Sequence, residues 1–444
     1  MILLIKNGRI IDPATKTDHV SDLLVVDGVI RHMGSVDMDT IDVVYGDDIS
    51  SKKQKLTVID AKECIVTPGL IDMHVHFRDP GQTYKEDLIT GQRSAAKGGF
   101  TTVCCMPNTN PVIDSKKTVK YIVDKNNDNK YINVLPVGAV TKGMKGHKIT
   151  NIKKLKAAGI CAISEDGKSV MDEDVYRKAM AKAAELGVPV LAHCEEINLV
   201  KGGVMNADSN AEKLGLKGIT NEVEDIIAQR DINLAEELGT TLHLCHCSTK
   251  DSVEMLKKAK AKGVKVSGEV CPHHFTLTTD DIPSDDANFK MNPPLRTKAD
   301  RDALIKGLTD GVLEVISTDH APHSDEEKAK GFVGSPFGIV GLETSVGLTV
   351  TNLVKTGAIT LMQMVEKMSY NPAQILGIDK GSLEEGKVAD ITIIDPDAQF
   401  VVNKYEFESK GKNTPFDGYK LFGKVKYTIV DGQVVYSYKD GVKK

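Results

Sequence analysis

Short stretches in which apolar and polar residues alternate occupy both ends of the 444-residue chain. Alternation with a period of two is typical of strands that bury one face, and Asn-Gly and Asp-Gly pairs favour tight turns between them. Near the start of the chain, the pattern predicts strands at residues 3–6, 22–26, 29–33 and 57–60. Because the same alternation of apolar and polar residues occurs near the end of the chain, we expect one small β-sandwich domain built from residues 1–67 and 385–444.

The residues between these ends alternate differently. Apolar runs that suit buried strands are separated by stretches with the apolar spacing of amphipathic helices, and several of those stretches end in Gly, as a helix C-cap does. The helical spacing is clearest at residues 172–187, 223–239, 251–263 and 298–311. Eight β-rich units with intervening helices predict an α/β fold, a (β/α)8 TIM-like barrel over residues 68–384.

The composition indicates which binding partners and which cellular compartment to expect for the protein. Lys and Arg number 57 against 62 for Asp and Glu, a net charge of -5, which argues against nucleic acid or an anionic membrane as the main partner. No apolar run is long enough for a membrane span, and the short apolar start does not suit a signal peptide. The eight cysteines lie mostly in apolar runs without C-x-x-C spacing, so we expect reduced, buried thiols in a cytoplasmic protein.

Most of the predicted barrel strands end in polar residues that can do chemistry. The carboxyl ends of barrel strands open on one face, where active sites lie, so residues scattered along the chain would meet at one mouth. This arrangement predicts an enzyme. The strand-end residues are His74, His76, Asn108, Asp166, His193, His246, His273, His274, Asp319 and His323.

Some of these residues suit a metal centre. His74 and His76 are two positions apart on one strand, so both imidazoles point to the same side, although an H-x-H pair alone is a weak signal. His193 and His246 bring the total to four imidazoles, and Asp319 adds a carboxylate. Since this is more than one zinc ion needs, the residues predict a two-metal site.

Two metal ions need a bridging anion, and the segment after the fourth barrel strand offers three candidates. Asp166 or Glu165 could bridge directly, although either acid would also suit a turn or a helix cap. Lys168 could bridge if carboxylated, but it lies beyond Gly167 and past the strand end, so we rank it below the two acids.

A second group of residues suits substrate binding. Arg78 at a strand end could hold a carboxylate with two hydrogen bonds, though a surface salt bridge is the alternative. Asn108 and Asn292 supply both donors and acceptors, and His323 follows the last strand. Residues 324–335 are polar and contain Gly, which suits either a loop that closes over the mouth or an exposed connection.

Longer motifs resemble a known family. The chain contains GLIDMHVHFRDPGQTYKEDLITG and GGFTTVCCMPNTNP, followed in order by AISEDG, LAHCEE, HCSTKDS, EVCPHH, FKMNPPLR and STDHAPH. These motifs resemble the dihydroorotase family of the amidohydrolase superfamily, and the likeness runs from about residue 7 to residue 395. H-x-H is common to the superfamily, whereas FRDPG, MPNT and KMNPPLR are more specific. The resemblance implies zinc-dependent, reversible cyclisation of N-carbamoyl-L-aspartate to L-dihydroorotate in pyrimidine biosynthesis.

The resemblance also implies roles and partners. It implies two zinc ions per chain, bridged by Asp166 and a hydroxide, with Asp319 as a metal-bound general acid and base. It further implies a homo-oligomer, as a dimer, and association with aspartate carbamoyltransferase. The remaining implied metal ligands are His74 and His76 on the more buried ion and His193 and His246 on the other, and the implied substrate-binding residues are Arg78, Asn108, Asn292 and His323.

Two alternatives compete with this interpretation. An allantoinase or hydantoinase would use the same scaffold, but Arg78 with Asn108, and the lack of a Lys at the bridging position, count against both. A catalytically inactive scaffold protein should have lost metal ligands, and every expected ligand is present in this chain.

Overall fold

The computed structural model describes residues 1–37, 40 and 56–443. Strands and helices alternate through the middle of the chain, and longer strands lie at both ends. The strands are β1 Ile2–Asp12, β2 Thr17–Val26, β3 Val29–Gly34, β4 Leu56–Asp60, β5 Ile65–Pro68, β6 Leu70–Val75, β7 Phe100–Cys105, β8 Asn133–Ala139, β9 Ala162–Ser164, β10 Val190–Ala192, β11 Met205–Asn206, β12 Gly218–Ile219, β13 Leu242–Leu244, β14 Val266–Val270, β15 Val315–Ile316, β16 Ile391–Val401, β17 Lys420–Val430, β18 Gln433–Ser437 and β19 Gly441–Val442.

The α-helices lie mainly between the barrel strands, where the sequence predicts them. Each of the four clearest predicted helices is confirmed within a residue or two of its predicted start. The α-helices are Leu88–Lys97, Lys116–Asp128, Ile152–Lys156, Glu173–Leu186, Ile197–Val200, Ser209–Leu214, Glu222–Leu238, Lys250–Ala261, Pro272–Thr276, Lys298–Thr309, Asp325–Lys328, Gly331–Gly334, Ser345–Thr349, Leu361–Val365 and Asn371–Leu376. Among the described residues, none of the helices is long and apolar enough to cross a membrane.

The two chain ends form one sheet. Its strands run in the order β19-β18-β17-β16-β5-β1-β2-β3, and β4 pairs with β1. The two ends meet where β5 pairs antiparallel with β16. The predicted β-domain from both ends is thereby confirmed, and hydrogen bonding joins its described strands in a single nine-stranded sheet.

The middle of the chain forms the predicted barrel. Eight parallel strands follow one another in the order β6-β7-β8-β9-β10-β13-β14-β15. The circle is nearly closed by His320, which follows β15, because its carbonyl accepts a 2.8 Å hydrogen bond from the backbone N–H of His76. The carboxyl ends of all eight strands therefore surround one mouth.

The helix Glu173–Leu186 illustrates how the sequence builds these units. The Asp172 carboxylate accepts from the Val175 N–H at the start, and Gly187 adopts φ 60° at the C-cap, which a side chain would disfavour. Tyr176 and Met180 lie on its buried face. Apolar side chains such as Met73, Val137 and Leu191 form one buried cluster contributed by several barrel strands.

The cysteines follow the prediction. All eight are free thiols, and Cys161 alone among them is half-buried while the others are buried. They behave as small apolar side chains within the packing of the protein.

Candidate active site

Four histidines from three barrel strands surround Asp166 at the mouth. His74 lies in β6, His76 follows it, His193 follows β10 directly, and His246 lies two residues beyond β13. The Asp166 Oδ1 atom is 3.2 Å from His74 Nε2, and its Oδ2 atom is 3.3 Å from His76 Nε2. The same Oδ1 is 3.4 Å from His193 Nδ1 and 3.5 Å from His246 Nε2. We call these five residues the Asp166 cluster, and all five are buried.

Asp319 completes this group from the far side of the barrel closure. Its Oδ1 lies 3.1 Å from His76 Nε2 and 3.5 Å from His74 Nε2. The backbone of Asp319 has φ 50° and that of His246 has φ 33°, both in the left-handed region. Such a conformation is unfavourable for residues other than Gly and concentrates at functional sites, so the fold holds these two side chains at some energetic cost.

The atoms of this group fit a metal centre. His74 Nε2 and Asp166 Oδ1 are buried and have no hydrogen-bond partner among the described residues. Buried polar atoms without partners are rare, because losing water without compensation is unfavourable. Two sets of ligand atoms, from His74, His76 and Asp319 and from His74, Asp166 and His246, each lie within 4.8 Å of one another. Imidazole nitrogens and carboxylate oxygens are ligands that zinc accepts.

The charges in the group favour ionised carboxylates. Burial alone raises the pKa of the Asp166 carboxyl, but the charge of His74 and the close imidazoles of His193 and His246 lower it well below its usual value. For Asp319, burial is likewise outweighed by His74 and His76, which lower its pKa to about 2. Burial lowers the pKa of His193, yet the nearby Asp166 and Glu195 carboxylates raise it to about 10. The site therefore holds two anionic carboxylates among its imidazoles.

The three candidate bridging residues point in different directions. The Glu165 carboxylate accepts a 2.9 Å hydrogen bond from the Thr141 N–H and a further bond from the Thr141 hydroxyl. Lys168 donates to the Met144 carbonyl at 3.3 Å. Of the three, Asp166 is the one whose carboxylate lies among the histidines, which favours it as the bridge.

Arg78, Asn108 and Asn292 line the cavity beside this group. The cavity has a volume of about 140 Å³. Asn108 Oδ1 lies 2.8 Å from His76 Nδ1, and Asn292 donates to Glu195 at 2.8 Å. Arg78 is buried with φ 58°, and its Nε donates to the Pro322 carbonyl at 3.2 Å. The other lining residues are His76, Asp166, Gly167, His193, His246, Asp319, Ala321, Phe337 and Gly338.

His323 takes a different place from the other three predicted substrate-binding residues. Its Nε2 lies 2.8 Å from the Phe337 carbonyl and its Nδ1 lies 3.2 Å from Lys85 Nζ. Because the ammonium can only donate, Nδ1 accepts and Nε2 carries the proton that reaches Phe337. Burial and the charges of Arg78 and Lys85 lower the pKa of His323. The imidazole is therefore neutral and braces the cavity wall, 3.2 Å from an Arg78 nitrogen.

The segment after His323 packs against the same wall. The helix Asp325–Lys328 carries Glu327, which forms a 2.9 Å ion pair with Lys85. Lys328 is buried and donates to the Gly338 carbonyl at 2.9 Å. The segment thus contacts the cavity wall, while its movement as a lid stays a prediction.

The sequence did not single out Glu269 of β14, which contacts two of the candidate metal ligands, His74 and His246. Its Oε1 lies 2.8 Å from His74 Nδ1 and accepts from the His246 N–H at 3.1 Å, while Oε2 lies 3.1 Å from His243 Nε2. Glu269 is fully buried, and bonds to His243 and His74 lower its pKa despite that burial. A lone acid inside the apolar run VSGEV was the available signal, because a buried carboxylate requires partners.

His273 and His274 form a second histidine group near the mouth, and we call them, with Cys271, the His273 group. The ligand atoms of the three residues lie within 4.8 Å of one another. His274 Nε2 donates to the Pro293 carbonyl at 2.9 Å, and the two imidazole rings are 4.2 Å apart.

Comparison with known proteins places the chain in a family. A model for the amidohydrolase family matches residues 65–435. The chain is 47% identical over 435 residues to the dihydroorotase of Ruminiclostridium cellulolyticum, with 98% of each chain covered. It is 48% identical over 436 residues to the dihydroorotase of Citrifermentans bemidjiense, and the alignment covers 98% of this chain and 100% of that relative. The resemblance to the dihydroorotases is thereby confirmed.

Solved structures agree on the architecture. A D-hydantoinase has a TM-score of 0.85 at 27% identity, covering 100% of this chain and 97% of the other. The L-hydantoinase (dihydropyrimidinase) from Arthrobacter aurescens has a TM-score of 0.84 at 25% identity, with 100% and 97% covered. With its fold, its full-length relatives and its matched domain in agreement, the chain belongs to the amidohydrolase family of enzymes.

Proposed function

We propose that the protein is a dihydroorotase, which interconverts N-carbamoyl-L-aspartate and L-dihydroorotate in pyrimidine biosynthesis. The observation that carries this proposal is the buried Arg78 guanidinium in the wall of a cavity that is also lined by Asp166 and three of the four histidines around it. A guanidinium in this position suits a substrate carboxylate, which dihydroorotate carries and a neutral hydantoin ring lacks. The full-length relatives named dihydroorotase support the same conclusion.

Each residue has a definite role in this proposal. The Asp166 cluster and Asp319 hold two zinc ions, with Asp166 as the bridging carboxylate. The chemistry that these ions supply when bound is a more acidic water and a polarised amide carbonyl. Arg78 and Asn108 bind the α-carboxylate of the substrate, Asn292 presents its amide to the ring, and His323 beside Arg78 completes the substrate-binding set.

Asp319 carries the proton in both directions. In ring opening, its carboxylate accepts the proton of the attacking water and delivers it to the ring nitrogen as the C–N bond breaks. In cyclisation, it accepts the proton of the carbamoyl nitrogen as the C–N bond forms and passes it to the departing carboxylate oxygen, which takes one further proton from solvent and leaves as water. The position of Asp319 Oδ1 near His76 supports this role, since the carboxylate lies at the metal-ligand atoms and at the cavity at once.

The test is a direct assay of the purified enzyme with carbamoyl aspartate and dihydroorotate, beside allantoin and dihydrouracil, on protein of measured metal content. We expect turnover of the first pair and about two zinc ions per chain. Asp319→Ala should abolish turnover while the fold and most of the metal remain, and the exposed Asp325→Ala is its matched control. Absence of turnover of the first pair at full metal occupancy would contradict the proposal, and turnover of dihydrouracil instead would favour the hydantoinase alternative.

The wider associations remain part of the proposal. A dimer, binding to aspartate carbamoyltransferase and a cytoplasmic location follow from the resemblance. Sedimentation of the protein alone and with a carbamoyltransferase from the same cells would test the first two.

A further inference from the structure

A segment from the terminal sheet reaches into the mouth of the barrel. It connects β16, which ends at Val401, to β17, which begins at Lys420. Within it, the Glu408 N–H donates to Glu343 at 2.8 Å, which anchors the segment to the barrel. The segment lies far in sequence from every motif that the resemblance covers at the mouth, so no pattern in the chain assigns it a role.

Asn413 in this segment bonds to two stretches of the cavity wall at once. Its Nδ2 donates to the Ala321 carbonyl at 3.1 Å and to the Gly338 carbonyl at 3.0 Å. Its Oδ1 accepts from the His323 N–H at 3.1 Å. The Asn413 carbonyl accepts from the Val340 N–H at 2.9 Å, and the residue is 2% exposed. The amide therefore uses both donors and its acceptor inside the protein.

The wall that Asn413 holds carries the proposed substrate-binding side chains. Ala321 and Gly338 line the cavity, and the Pro322 carbonyl between Ala321 and His323 accepts from Arg78 Nε. Ala321 and Gly338 pack closely against each other: a Cβ atom added to Gly338 would lie only 2.6 Å from the Ala321 Cβ. Asn413 thus ties together the strand-end segment that holds Arg78 and the opposite segment that accepts from His323.

We propose that Asn413 is a positioning residue of the active site, which sets the register of the 321–323 and 337–340 segments and so the placement of Arg78 for the substrate carboxylate. This inference deepens the proposed function and rests on it for the identity of the carboxylate. Through Asn413, the sheet formed by the chain ends contributes to the geometry of the barrel mouth. The residue does not touch substrate, and its effect reaches the reaction through Arg78 and His323.

The residue type suits this task. An Asp at this position would keep the acceptor for the His323 N–H but would lose both donors to Ala321 and Gly338, and Ala would lose all three bonds. Because buried carbonyl and N–H groups without partners are unfavourable, the two segments should separate or move when the amide is removed. A shift of about 1 Å in a binding group is enough to reduce an enzyme's efficiency on the order of a hundredfold.

The test compares Asn413→Ala and Asn413→Asp with Asn403→Ala, an exposed Asn in the same connection, in the metal-loaded enzyme. We expect Asn413→Ala to lower kcat/KM for dihydroorotate by roughly 10- to 100-fold, chiefly through KM, because it displaces a binding group rather than the reacting atoms. The kcat/KM of Asn413→Asp should lie between the values for the unmodified enzyme and for Asn413→Ala. The kcat/KM of Asn403→Ala should stay within about twofold of that of the unmodified enzyme.

A second readout needs no substrate. Hydrogen exchange of the His323 amide should accelerate in Asn413→Ala and stay slow in Asn413→Asp, which keeps the acceptor. A His323 exchange rate and a kcat/KM that both stay within twofold of the unmodified enzyme in Asn413→Ala would overturn the proposal. If Asn413→Ala does not fold, raised KM with protected His323 in Asn413→Asp supports the proposal, and unchanged KM overturns it. Failure of the unmodified enzyme to turn over dihydroorotate would contradict the proposed function instead, and the exchange comparison would still decide the role of Asn413.

Discussion

Two groups of buried histidines lie near the barrel mouth, and their environments differ in one respect that changes their chemistry. The Asp166 cluster has a carboxylate at its centre, within 3.5 Å of all four imidazoles. The His273 group contains a thiol and two imidazoles, and its partners are a carbonyl and each other. In the cluster, the pKa of His193 rises to about 10, whereas burial lowers the pKa of His273 to about 4.

Both groups contain buried ring nitrogens without hydrogen-bond partners among the described residues, so we expect the carboxylate to decide which group binds metal. Both groups sit where active-site residues are expected, and both are buried. A central carboxylate supplies negative charge that attracts cations. Two buried imidazoles without an adjacent anion stay neutral instead. We therefore expect the position of the anion, more than the number of histidines, to determine where metal binds.

The largest expected effect comes from removing that anion. Asp166→Asn keeps the shape of the side chain but removes its charge, so it should lower the zinc content of the purified enzyme and reduce kcat on the order of a thousandfold or more. Metal analysis and the dihydroorotase assay measure the two effects. Glu165→Gln is the matched control, because its neighbouring carboxylate is bonded by Thr141, and it should retain both metal and activity within a few fold. Equal losses in the two variants would contradict the distinction between these acids.

A smaller effect separates the two histidine groups directly. His246→Gln should weaken binding of the second zinc ion roughly a hundredfold or more, because it removes a ligand nitrogen next to Asp166. His273→Gln should leave metal content unchanged and kcat/KM within about threefold. Competition with a chelator measures both variants. Comparable zinc loss in His273→Gln would show that the His273 group holds metal after all and would break the comparison.

The smallest effect is on acid stability. The pKa of His273 is about 4 in the fold, below the ordinary value near 6.5 that it regains on unfolding. Between these values the unfolded chain binds more protons, so the unfolding free energy contributed by this group is intact above pH 6.5 and falls as pH drops towards 4, by about 3 kcal/mol in all.

His273→Gln should remove this part of the pH dependence. Urea unfolding at pH 7 and at pH 4.5 measures the loss of unfolding free energy in the unmodified enzyme and in His273→Gln. The control is His19→Gln, which changes an exposed histidine of the terminal sheet. A decline in stability with acid that is equally steep in all three proteins would show that His273 is not buried in its neutral form.

Much of the fold was accessible from the sequence because the signals are local. Period-two alternation predicts the terminal strands, and helical spacing with terminal Gly predicts helices such as Glu173–Leu186. The metal-ligand residues were accessible for a related reason, since a parallel barrel gathers all strand ends at one mouth. His74, His76, His193 and His246 could therefore be grouped without knowing any distance between them.

The residues that support the site were not accessible in this way. In the sequence, Glu269 is one acidic residue inside a predicted strand, and Asn413 is one polar residue in a connection between strands. Their partners lie 195 and 92 residues away in sequence, at His74 and Ala321. No local pattern encodes such pairs, because they depend on which elements the folded chain brings side by side.

By itself, the sequence determined the barrel, the sheet at the chain ends, the family and the set of polar residues at the mouth, since each follows from periodicity, motif or strand order. The tertiary structure alone showed how the neighbouring acids Glu165 and Asp166 are oriented, the first towards Thr141 and the second towards the histidines, and that His323 bonds to the cavity wall at Phe337. It alone joined Asn413 to that wall. The physical reason is that side-chain direction and long-range hydrogen bonding are properties of packed elements, whereas the alternation of apolar and polar residues records only which elements form.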